Sequence, residues 1–313
     1  MSAEASVGAL FDALGGKLGL RWVGSQRGKS RVISSPDPVG SGAALVGHLN
    51  LIHPNRVQVL GGTEIAYLDR LGENSRRDLV RQLFDGTTDL IVIAENQPVP
   101  DDIKRHSEAS STPVFLSDRS SLQLVNHLQY YLTNLFAEKI TLHGVFMEVF
   151  SLGMLITGDP SVGKSELALE LVARGHRLVA DDAPVFARTA PDVLNGRCPE
   201  VLRDFLEVRG LGILNVRAMF GDSAIKQARN LRLILKLERM TEEQMHRIDR
   251  LHGARATRTI LGVEIPEITL PVAPGRNLAV LAEAAARNHT LLLKGFDSAK
   301  LFMERQARFM ENS

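Results

Sequence analysis

The chain has 313 residues, of which 44% are hydrophobic and 23% are charged, and its 37 Lys and Arg residues nearly balance its 36 Asp and Glu residues. This balance argues against a surface built to bind nucleic acid or an anionic membrane. No run approaches the ~18 apolar residues of a membrane-spanning helix, and the length allows two domains with separate cores.

The amino-terminal segment and the cysteine content both indicate a cytoplasmic protein. The segment carries an early Glu4 and lacks the basic start and long apolar core of an export signal. Cys198 is the only cysteine, which excludes an internal disulfide and a thiolate metal cage and fits a reducing compartment.

The first part of the chain alternates apolar runs with polar, helix-compatible stretches. Strands are predicted at 56–61, 89–96 and 113–118, and helices at 75–84 and 101–110. This alternation predicts a small α/β domain with some parallel strand pairing. No chemistry can be assigned to it from the residues alone.

An amphipathic helix is predicted to close this domain. From Ser121 onward apolar residues recur at spacings of three and four, with Ser120 or Ser121 available as N-cap. These apolar positions are Leu122, Val125, Leu128, Leu132 and Leu135. We therefore place an amino-terminal domain at residues 1–135 and a carboxy-terminal domain at residues 136–313.

A glycine-rich turn, here called the cradle, matches the phosphate-binding pattern G-x-x-x-x-G-K-[ST]. The strand-like runs "KITLHGVFMEVF" and "GMLITG" lead into it, "SELALELVA" follows as a helix, and Gly175 is placed to end that helix. The cradle comprises Gly158, Asp159, Pro160, Ser161, Val162, Gly163, Lys164 and Ser165.

The cradle predicts nucleotide binding. Its glycines let backbone N–H groups turn towards phosphate oxygens, and the helix amino terminus adds partial positive charge. Lys164 would reach the β- and γ-phosphates, and the Ser165 hydroxyl would ligate Mg²⁺. The alternative is a glycine turn before an ordinary helix.

Two adjacent aspartates, Asp181 and Asp182, end the predicted strand "HRLVADD". Groups at the carboxyl end of a strand in an open α/β sheet face the ligand crevice, so both are expected near the phosphates. One could hold Mg²⁺ or its water shell while the other accepts a proton from an attacking hydroxyl. Alternatively, both cap a turn.

Other candidate residues stay open at this stage. Glu207 lies among glycines in "FLEVRGLGILNV", which predicts a loop, and could complete a metal site or form an exposed salt bridge. A single strand histidine such as His143 is usually structural, and Arg250 alone reads as a solvated helix charge. In "PVAPGRN", Arg276 lies beside a predicted helix start near Asn277, so this segment could bind an anion. Alternatively, it is a plain N-cap turn.

The remaining carboxy-terminal segments predict one strand and two helices. "LRLILKLER" reads as a buried strand and "NLAVLAEAAARNHTLLL" as an Ala-rich helix. A last helix is predicted from Ser298 as N-cap, with apolar positions that we expect to dock on its own domain. The alternative is a contact with another subunit or a partner protein.

Together these motifs resemble the bacterial HPr kinase/phosphorylase family, whose members act on a seryl residue of the phosphocarrier protein HPr. The likeness runs through "LHGVFMEVFSLGMLITGDPSVGKSELALELVARGHRLVADDAPV", "EVRGLGILNV", "IDRLHG" and "LPVAPGRN", and covers most of residues 136–295. Residues 1–135 resemble the family's amino-terminal domain by length and position.

The resemblance implies a fold, an assembly and a reaction. The fold would be α/β in two domains, a small amino-terminal one and a carboxy-terminal P-loop kinase domain of the phosphoenolpyruvate carboxykinase-like type. Family members are typically homohexamers with the cradle domains at the centre. The reaction would transfer phosphate from ATP, or pyrophosphate, to HPr, and the reverse phosphorolysis by inorganic phosphate would yield pyrophosphate.

The resemblance also implies roles for particular residues. Asp182 would accept the proton in phosphorylation and return it in dephosphorylation. The residues with catalytic roles would be His143, Lys164, Asp182 and Arg250, and those contacting Mg²⁺ would be Ser165 and Glu207.

Two loops complete the implied site. Both activities would use Leu206, Glu207, Val208, Arg209, Gly210, Leu211, Gly212, Ile213, Leu214 and Asn215. Dephosphorylation would depend chiefly on Pro271, Val272, Ala273, Pro274, Gly275 and Arg276. Related chains can carry a charged residue where this one has Ala273, and we expect that difference to alter anion affinity modestly.

Two other functions remain as alternatives. One is a P-loop kinase or ATPase acting on a small molecule, and the other is a binding module that nucleotide occupancy switches. The chain lacks the H-R-D and D-F-G elements of protein-kinase folds, so protein phosphorylation would need a different architecture.

Overall fold

The computed structural model describes residues 6–24, 26–35, 44–50, 54–85, 87–246, 249, 253–273 and 275–311. The chain divides into two compact units, Met1–Ala137 and Glu138–Ser313. Each unit combines helices with its own sheet, which confirms the predicted two-domain α/β organisation. None of the described helices is both long and apolar enough to cross a bilayer.

The first unit is a sheet flanked by helices. Its described strands are β1 (Arg21–Trp22), β2 (Val46–His48), β3 (Val57–Leu60), β4 (Leu90–Ile93) and β5 (Val114–Leu116). Its described α-helices are α1 (Val7–Leu18), α2 (Gly62–Arg70), α3 (Glu73–Asp85), α4 (Asp101–Ser110) and α5 (Ser121–Phe136). The sheet order is β1-β5-β4-β3-β2, with β2 to β5 parallel and β1 antiparallel to β5. The predicted parallel pairing is therefore confirmed.

Helix α5 packs as its spacing requires. The Ser120 hydroxyl accepts a hydrogen bond from the Gln123 N–H, which confirms the N-cap. Leu124, Leu128 and Leu132 are fully buried, one helical turn apart. Leu122, predicted for the same face, is 64% exposed because the buried stripe follows the i, i+4 row from Leu124.

The second unit is built on a mixed sheet with helices against it. Its described strands are β6 (Lys139–Thr141), β7 (Val145–Val149), β8 (Leu152–Gly158), β9 (Arg177–Ala180), β10 (Val185–Ala190), β11 (Val193–Arg197), β12 (Phe205–Val208), β13 (Gly212–Asn215), β14 (Ala228–Arg239), β15 (Arg255–Ile260) and β16 (Val263–Val272). Its described α-helices are α6 (Lys164–Ala173), α7 (Val216–Phe220), α8 (Glu242–His246), α9 (Leu278–Leu293) and α10 (Ser298–Glu311).

Strand directions in this sheet decide which loops meet. The order β16-β14-β8-β7-β9 places β14 in parallel between β16 and β8, whereas β7 runs antiparallel to both β8 and β9. The first residues of β14 also pair with β11, in antiparallel. Strands β12 and β13 form a separate two-stranded hairpin.

The run predicted as the strand "KITLHGVFMEVF" is broken into β6 and β7. The break includes Gly144, which has φ 145°, and a Cβ there would collide with the Ile156 carbonyl oxygen. His143 accordingly lies in a bend and not in a strand, which corrects the sequence-based prediction.

The helix after the cradle is held against the sheet and ends as predicted. Leu167 and Leu171 of α6 are buried in the same core as Ala282 and Ala286 of α9. Gly175 has φ 91°, its N–H donates to the Val172 carbonyl, and the His176 N–H donates to the Leu171 carbonyl. This pair of bonds is the Schellman motif, which confirms the role assigned to Gly175.

Helix α10 forms, but two details differ from the prediction. The Asp297 carboxylate accepts hydrogen bonds from the Ala299 and Lys300 N–H groups, so Asp297 caps the helix and Ser298 is its first residue. Phe309 and Met310 are 73% and 66% exposed, so most of their apolar surface is not buried against their own domain, contrary to the expectation.

Acid should destabilise the second unit through His289. This side chain is 5% exposed, and its Nε2 has no hydrogen-bond partner among the residues that the structure describes. Burial, aided by the charges of Arg255 and Arg232, lowers the pKa of His289 from 6.5. As the pH falls below 6.5, His289 binds a proton in the unfolded state but stays neutral in the folded state. The free energy of unfolding therefore loses nothing to this group above pH 6.5, and it falls as the pH drops towards the lowered pKa. His289→Leu should therefore flatten this decline in denaturant titrations across mildly acidic pH.

His127→Leu, at a partly exposed histidine of α5, is the matched control for this measurement. It should reproduce the wild-type slope of unfolding free energy against pH. A His289→Leu profile as steep as that of the wild type would contradict the assignment.

Candidate active site

The topology brings three chain segments to one edge of the second sheet. The carboxyl ends of β8 and β9 point the same way because each is antiparallel to β7, whose amino end lies at the same edge. Gly158 therefore ends β8 beside Asp182, which follows β9, and His143, which precedes β7. The Gly144 N–H donates to the Asp182 carbonyl at 3.1 Å and fixes this meeting point.

These segments surround a cavity of about 790 Å³. That volume lies in the usual range of small-molecule sites, roughly 300–1,000 Å³. Its lining combines the cradle with candidate acids and bases: His143, Gly144, Val145, Gly158, Pro160, Ser161, Gly163, Lys164, Ser165, Glu166, Asp181, Asp182, Glu207 and Arg209.

The cradle has the backbone that its glycines predict. Gly158 has φ 140° and Gly163 has φ 104°, and a Cβ at Gly158 would collide with the Leu237 carbonyl oxygen. Val162 is 5% exposed and anchors the cradle in the core. Asp159 is exposed and is not among the residues that line the cavity.

Lys164 lies across the cradle. Its Nζ donates to the carbonyl oxygens of Gly158 at 2.9 Å and Asp159 at 3.0 Å. An ammonium group held over a ring of backbone amides is placed to exchange these carbonyls for phosphate oxygens.

The two aspartates have different environments. The Asp181 carboxylate accepts a hydrogen bond from the Glu207 N–H at 2.8 Å, and burial raises its pKa above the usual value. The Asp182 side chain is 79% exposed, and its Oδ1 lies 3.6 Å from Nδ1 of His143. Asp182 has φ 63°, a conformation that Asp and Asn tolerate better than most residues. Asp181 therefore anchors a neighbouring segment, whereas the Asp182 carboxylate is open to the cavity.

The segment predicted as a loop around Glu207 is a β-hairpin. Leu206 and Val208 are buried under β12 while Glu207, between them, faces outward. In the turn, Nη1 of Arg209 donates to the Ser161 hydroxyl at 2.7 Å. Glu207 forms no salt bridge with any residue that the structure describes, so the exposed ion pair considered from the sequence is not seen.

The hairpin also contains the other residues that the family resemblance implies for phosphorylation and dephosphorylation. Gly210 and Leu211 lie in the turn, and β13 carries the rest: Gly212, Ile213, Leu214 and Asn215.

The segment after β16 borders the same edge. Pro271 and Val272 end the strand, Gly275 has φ 81°, and the Asn277 side chain accepts from the Val280 N–H at 3.0 Å, as the N-cap alternative predicts. A second cavity of about 440 Å³ joins this segment to the cradle helix. It is lined by Gly163, Glu166, Leu167, Glu170, Gly275, Arg276, Asn277 and Leu278. Pro274 and Arg250 lie outside the described residues.

Comparison with known proteins decides the family. The family model "HPr Serine kinase C-terminal domain" matches residues 134–306, and "HPr Serine kinase N terminus" matches residues 5–132. The chain belongs to the HPr serine kinase family.

Relatives within the HPr serine kinase family match the chain along its whole length. Proteins named HPr kinase/phosphorylase from Stenotrophomonas maltophilia (strain R551-3), Xylella fastidiosa (strain M12) and Xanthomonas campestris pv. campestris (strain B100) are each 48% identical over 312 residues, 99% of both chains. The solved structure titled HPr(Ser) kinase/phosphatase from Coxiella burnetii is 38% identical, covers 52% of this chain and 98% of its own, and superposes with a TM-score of 0.45.

Sequence reasoning does not single out Arg239, which contacts the cradle from outside the cavity. Arg239 ends β14, and its Nη2 donates to the Ser161 carbonyl at 2.8 Å. The sequence shows an arginine at the end of "LRLILKLER", but only the pairing of β14 with β8 brings it to the cradle.

The oxygen donors around the cavity suit Mg²⁺ held together with phosphates. Ser165, Asp182 and Glu207 line the same space. Among the described residues, no group of three or more His, Cys, Asp or Glu side chains could hold a metal by itself. Mg²⁺ is commonly bound by one or two carboxylates plus substrate phosphates, so this donor set fits it.

Proposed function

We propose that this chain is a bifunctional HPr kinase/phosphorylase with one site for both reactions. It phosphorylates a serine of HPr with ATP or pyrophosphate, and it removes that phosphate by phosphorolysis, giving pyrophosphate. The observation that carries the proposal is the cavity that Asp182 lines together with Lys164 and Ser165 of the cradle.

The second unit acts in this proposal as a P-loop kinase domain of the phosphoenolpyruvate carboxykinase-like type. The left-handed glycines of the cradle and the amino terminus of α6 support phosphate binding there. Ser165 and Glu207 would hold Mg²⁺, which would offset the charge of the phosphates.

In the kinase direction, Asp182 takes the proton of the serine hydroxyl as the oxygen attacks the γ-phosphorus and the bond to the β-phosphate breaks. Lys164 stabilises the charge on the transferred group. His143, 3.6 Å from the Asp182 carboxylate, helps to hold that acid at the cavity. Arg250 is assigned a catalytic role by family resemblance alone.

In the reverse direction, inorganic phosphate attacks the phosphorus of phosphoserine, the serine oxygen leaves, and pyrophosphate forms. The protonated Asp182 returns its proton to that oxygen, since microscopic reversibility requires the same group. Residues 206–215 serve both directions, and residues 271–276 chiefly serve this one.

Incubation with ATP, Mg²⁺ and HPr, followed by mass analysis of HPr, tests the proposal. HPr should gain one phosphoryl group, and phosphorylated HPr with inorganic phosphate should then release pyrophosphate. Unmodified HPr with steady ATP hydrolysis would favour a small-molecule kinase or ATPase. Nucleotide binding without turnover would favour a nucleotide-switched binding module.

Arg276→Ala should impair phosphorolysis selectively. Arg276 borders the cavity that joins residues 275–278 to the cradle helix, where a guanidinium can bind inorganic phosphate. We expect the KM for phosphate to rise about 10-fold, the loss of one charged hydrogen bond, with the kinase kcat nearly unchanged. Initial rates measured in both directions check this, and an equal loss in both would contradict it.

We also propose a cytoplasmic homohexamer with the cradle domains at the centre. The full-length likeness to the family supports this assembly. Sedimentation equilibrium of the purified chain tests it, and a monomer at all concentrations would contradict it.

A further inference from the structure

Ser161, at the tip of the cradle, is held from two sides by arginines of different elements. Its hydroxyl accepts from Nη1 of Arg209 at 2.7 Å, and its carbonyl accepts from Nη2 of Arg239 at 2.8 Å. Ser161 has φ 63°, a left-handed conformation that is uncommon for a serine. Neighbouring contacts must therefore maintain this backbone shape.

The two arginines differ in their access to the cavity. Arg209 lines it and could contact a substrate directly, whereas Arg239 is not among the lining residues. Arg239 lies near the cradle because β14 extends beyond β8. Leu237 pairs with Gly158, the last residue of β8, so β14 continues two residues past that strand. Arg239 thus reaches the outer side of the cradle.

The bond to Arg239 fixes the direction of one peptide group. A carbonyl oxygen turned towards bound phosphates would repel them, and the cradle works only if its amides point inward. With the Ser161 carbonyl held by Arg239, the following N–H of Val162 donates to the Asp159 carbonyl at 3.3 Å and closes the turn.

We propose that Arg239 is a positioning residue for the phosphate cradle, acting through the Ser161 carbonyl. This rests on the proposed function of the site and extends it to a residue outside the cavity. Because the same amides hold the phosphates of ATP and of pyrophosphate, Arg239 affects the binding of both donors and hardly affects the transfer step.

The test compares Arg239→Met and Arg239→Lys with the wild type in HPr phosphorylation. Arg239→Met should raise the KM for ATP and for pyrophosphate about 10-fold, the effect of one hydrogen bond from a charged group, while kcat changes less than about 3-fold. Arg239→Lys keeps a cationic donor and should restore part of the affinity. Arg232→Met, on the same strand but outside the catalytic cavity, is the matched control and should behave as wild type.

Ser161→Ala separates the two arginines. It removes the hydroxyl that Arg209 contacts and keeps the carbonyl that Arg239 contacts, so Arg239→Met should still raise KM about 10-fold in this background. Loss of the effect there would overturn the proposal, as would a wild-type KM in Arg239→Met or an equal fall in kcat for both Arg239 variants.

Direct titration with a non-hydrolysable ATP analogue keeps this test independent of the reaction. If the wild type fails to phosphorylate HPr, the proposed function is wrong, yet weaker analogue binding by Arg239→Met than by Arg232→Met still supports the positioning role. Equal binding by these two variants would overturn it, and thermal melting of each variant identifies any that is unfolded.

Discussion

Asp182→Asn should lower the rate of HPr phosphorylation and the rate of phosphorolysis together, each by about 10²- to 10⁴-fold, because one positioned acid–base group serves both directions. Asn is the appropriate replacement, since it removes the ionisable group yet tolerates the left-handed backbone at φ 63°. Single-turnover rates with HPr and with phosphorylated HPr measure the two effects.

Nucleotide affinity should survive this substitution. The Asp182 side chain is 79% exposed and makes no hydrogen bond to the cradle among the described contacts, so its loss leaves the phosphate-binding amides in place. Asp192→Asn, in an exposed turn, is the matched control and should keep both rates. An Asp182→Asn enzyme with wild-type turnover in either direction would refute the role given to this acid.

Lys164→Met should strongly weaken productive binding of both phosphoryl donors. The ammonium group donates to the cradle carbonyls of Gly158 and Asp159 at 2.9 and 3.0 Å, and its removal leaves the transferred charge without this stabilisation. We expect kcat/KM for ATP to fall by about 10²- to 10³-fold. Initial rates with ATP and with pyrophosphate measure the loss.

Two further variants delimit the Lys164 effect. Lys164→Arg should recover little, because a planar guanidinium cannot occupy the place of a compact ammonium at the centre of the cradle. Lys139→Met, at an exposed lysine of β6, should leave the rates unchanged. A Lys164→Met enzyme that keeps its ATP affinity and its turnover would show that another cation serves the phosphates.

Local signals in the sequence were sufficient for the cradle and for most helices. Glycines in fixed positions can be read without knowing the fold, and the structure places Gly158 and Gly163 in the left-handed conformations that the motif requires. The same holds for Gly175 and Ser120, whose capping bonds form within a few residues of chain.

Contacts that depend on strand direction could not be read in this way. The sequence predicts a strand at His143, and only the antiparallel course of β7 brings this residue to Asp182. The division between a half-buried Asp181 and an open Asp182 arises from the hairpin that supplies the Glu207 N–H. Arg239 reaches the cradle through a parallel pairing across some 80 residues of chain, a long-range register that periodicity does not encode.

The antiparallel strand β7 also sets the distance between the carboxyl ends of β8 and β9. Adjacent strands lie about 4.8 Å apart, so segments that leave β8 and β9 start roughly 10 Å from each other. The start of β7 lies between them, and Gly144, just before β7, donates to the Asp182 carbonyl. A reacting group therefore approaches this edge from beyond the strand ends, and not from between the two strands.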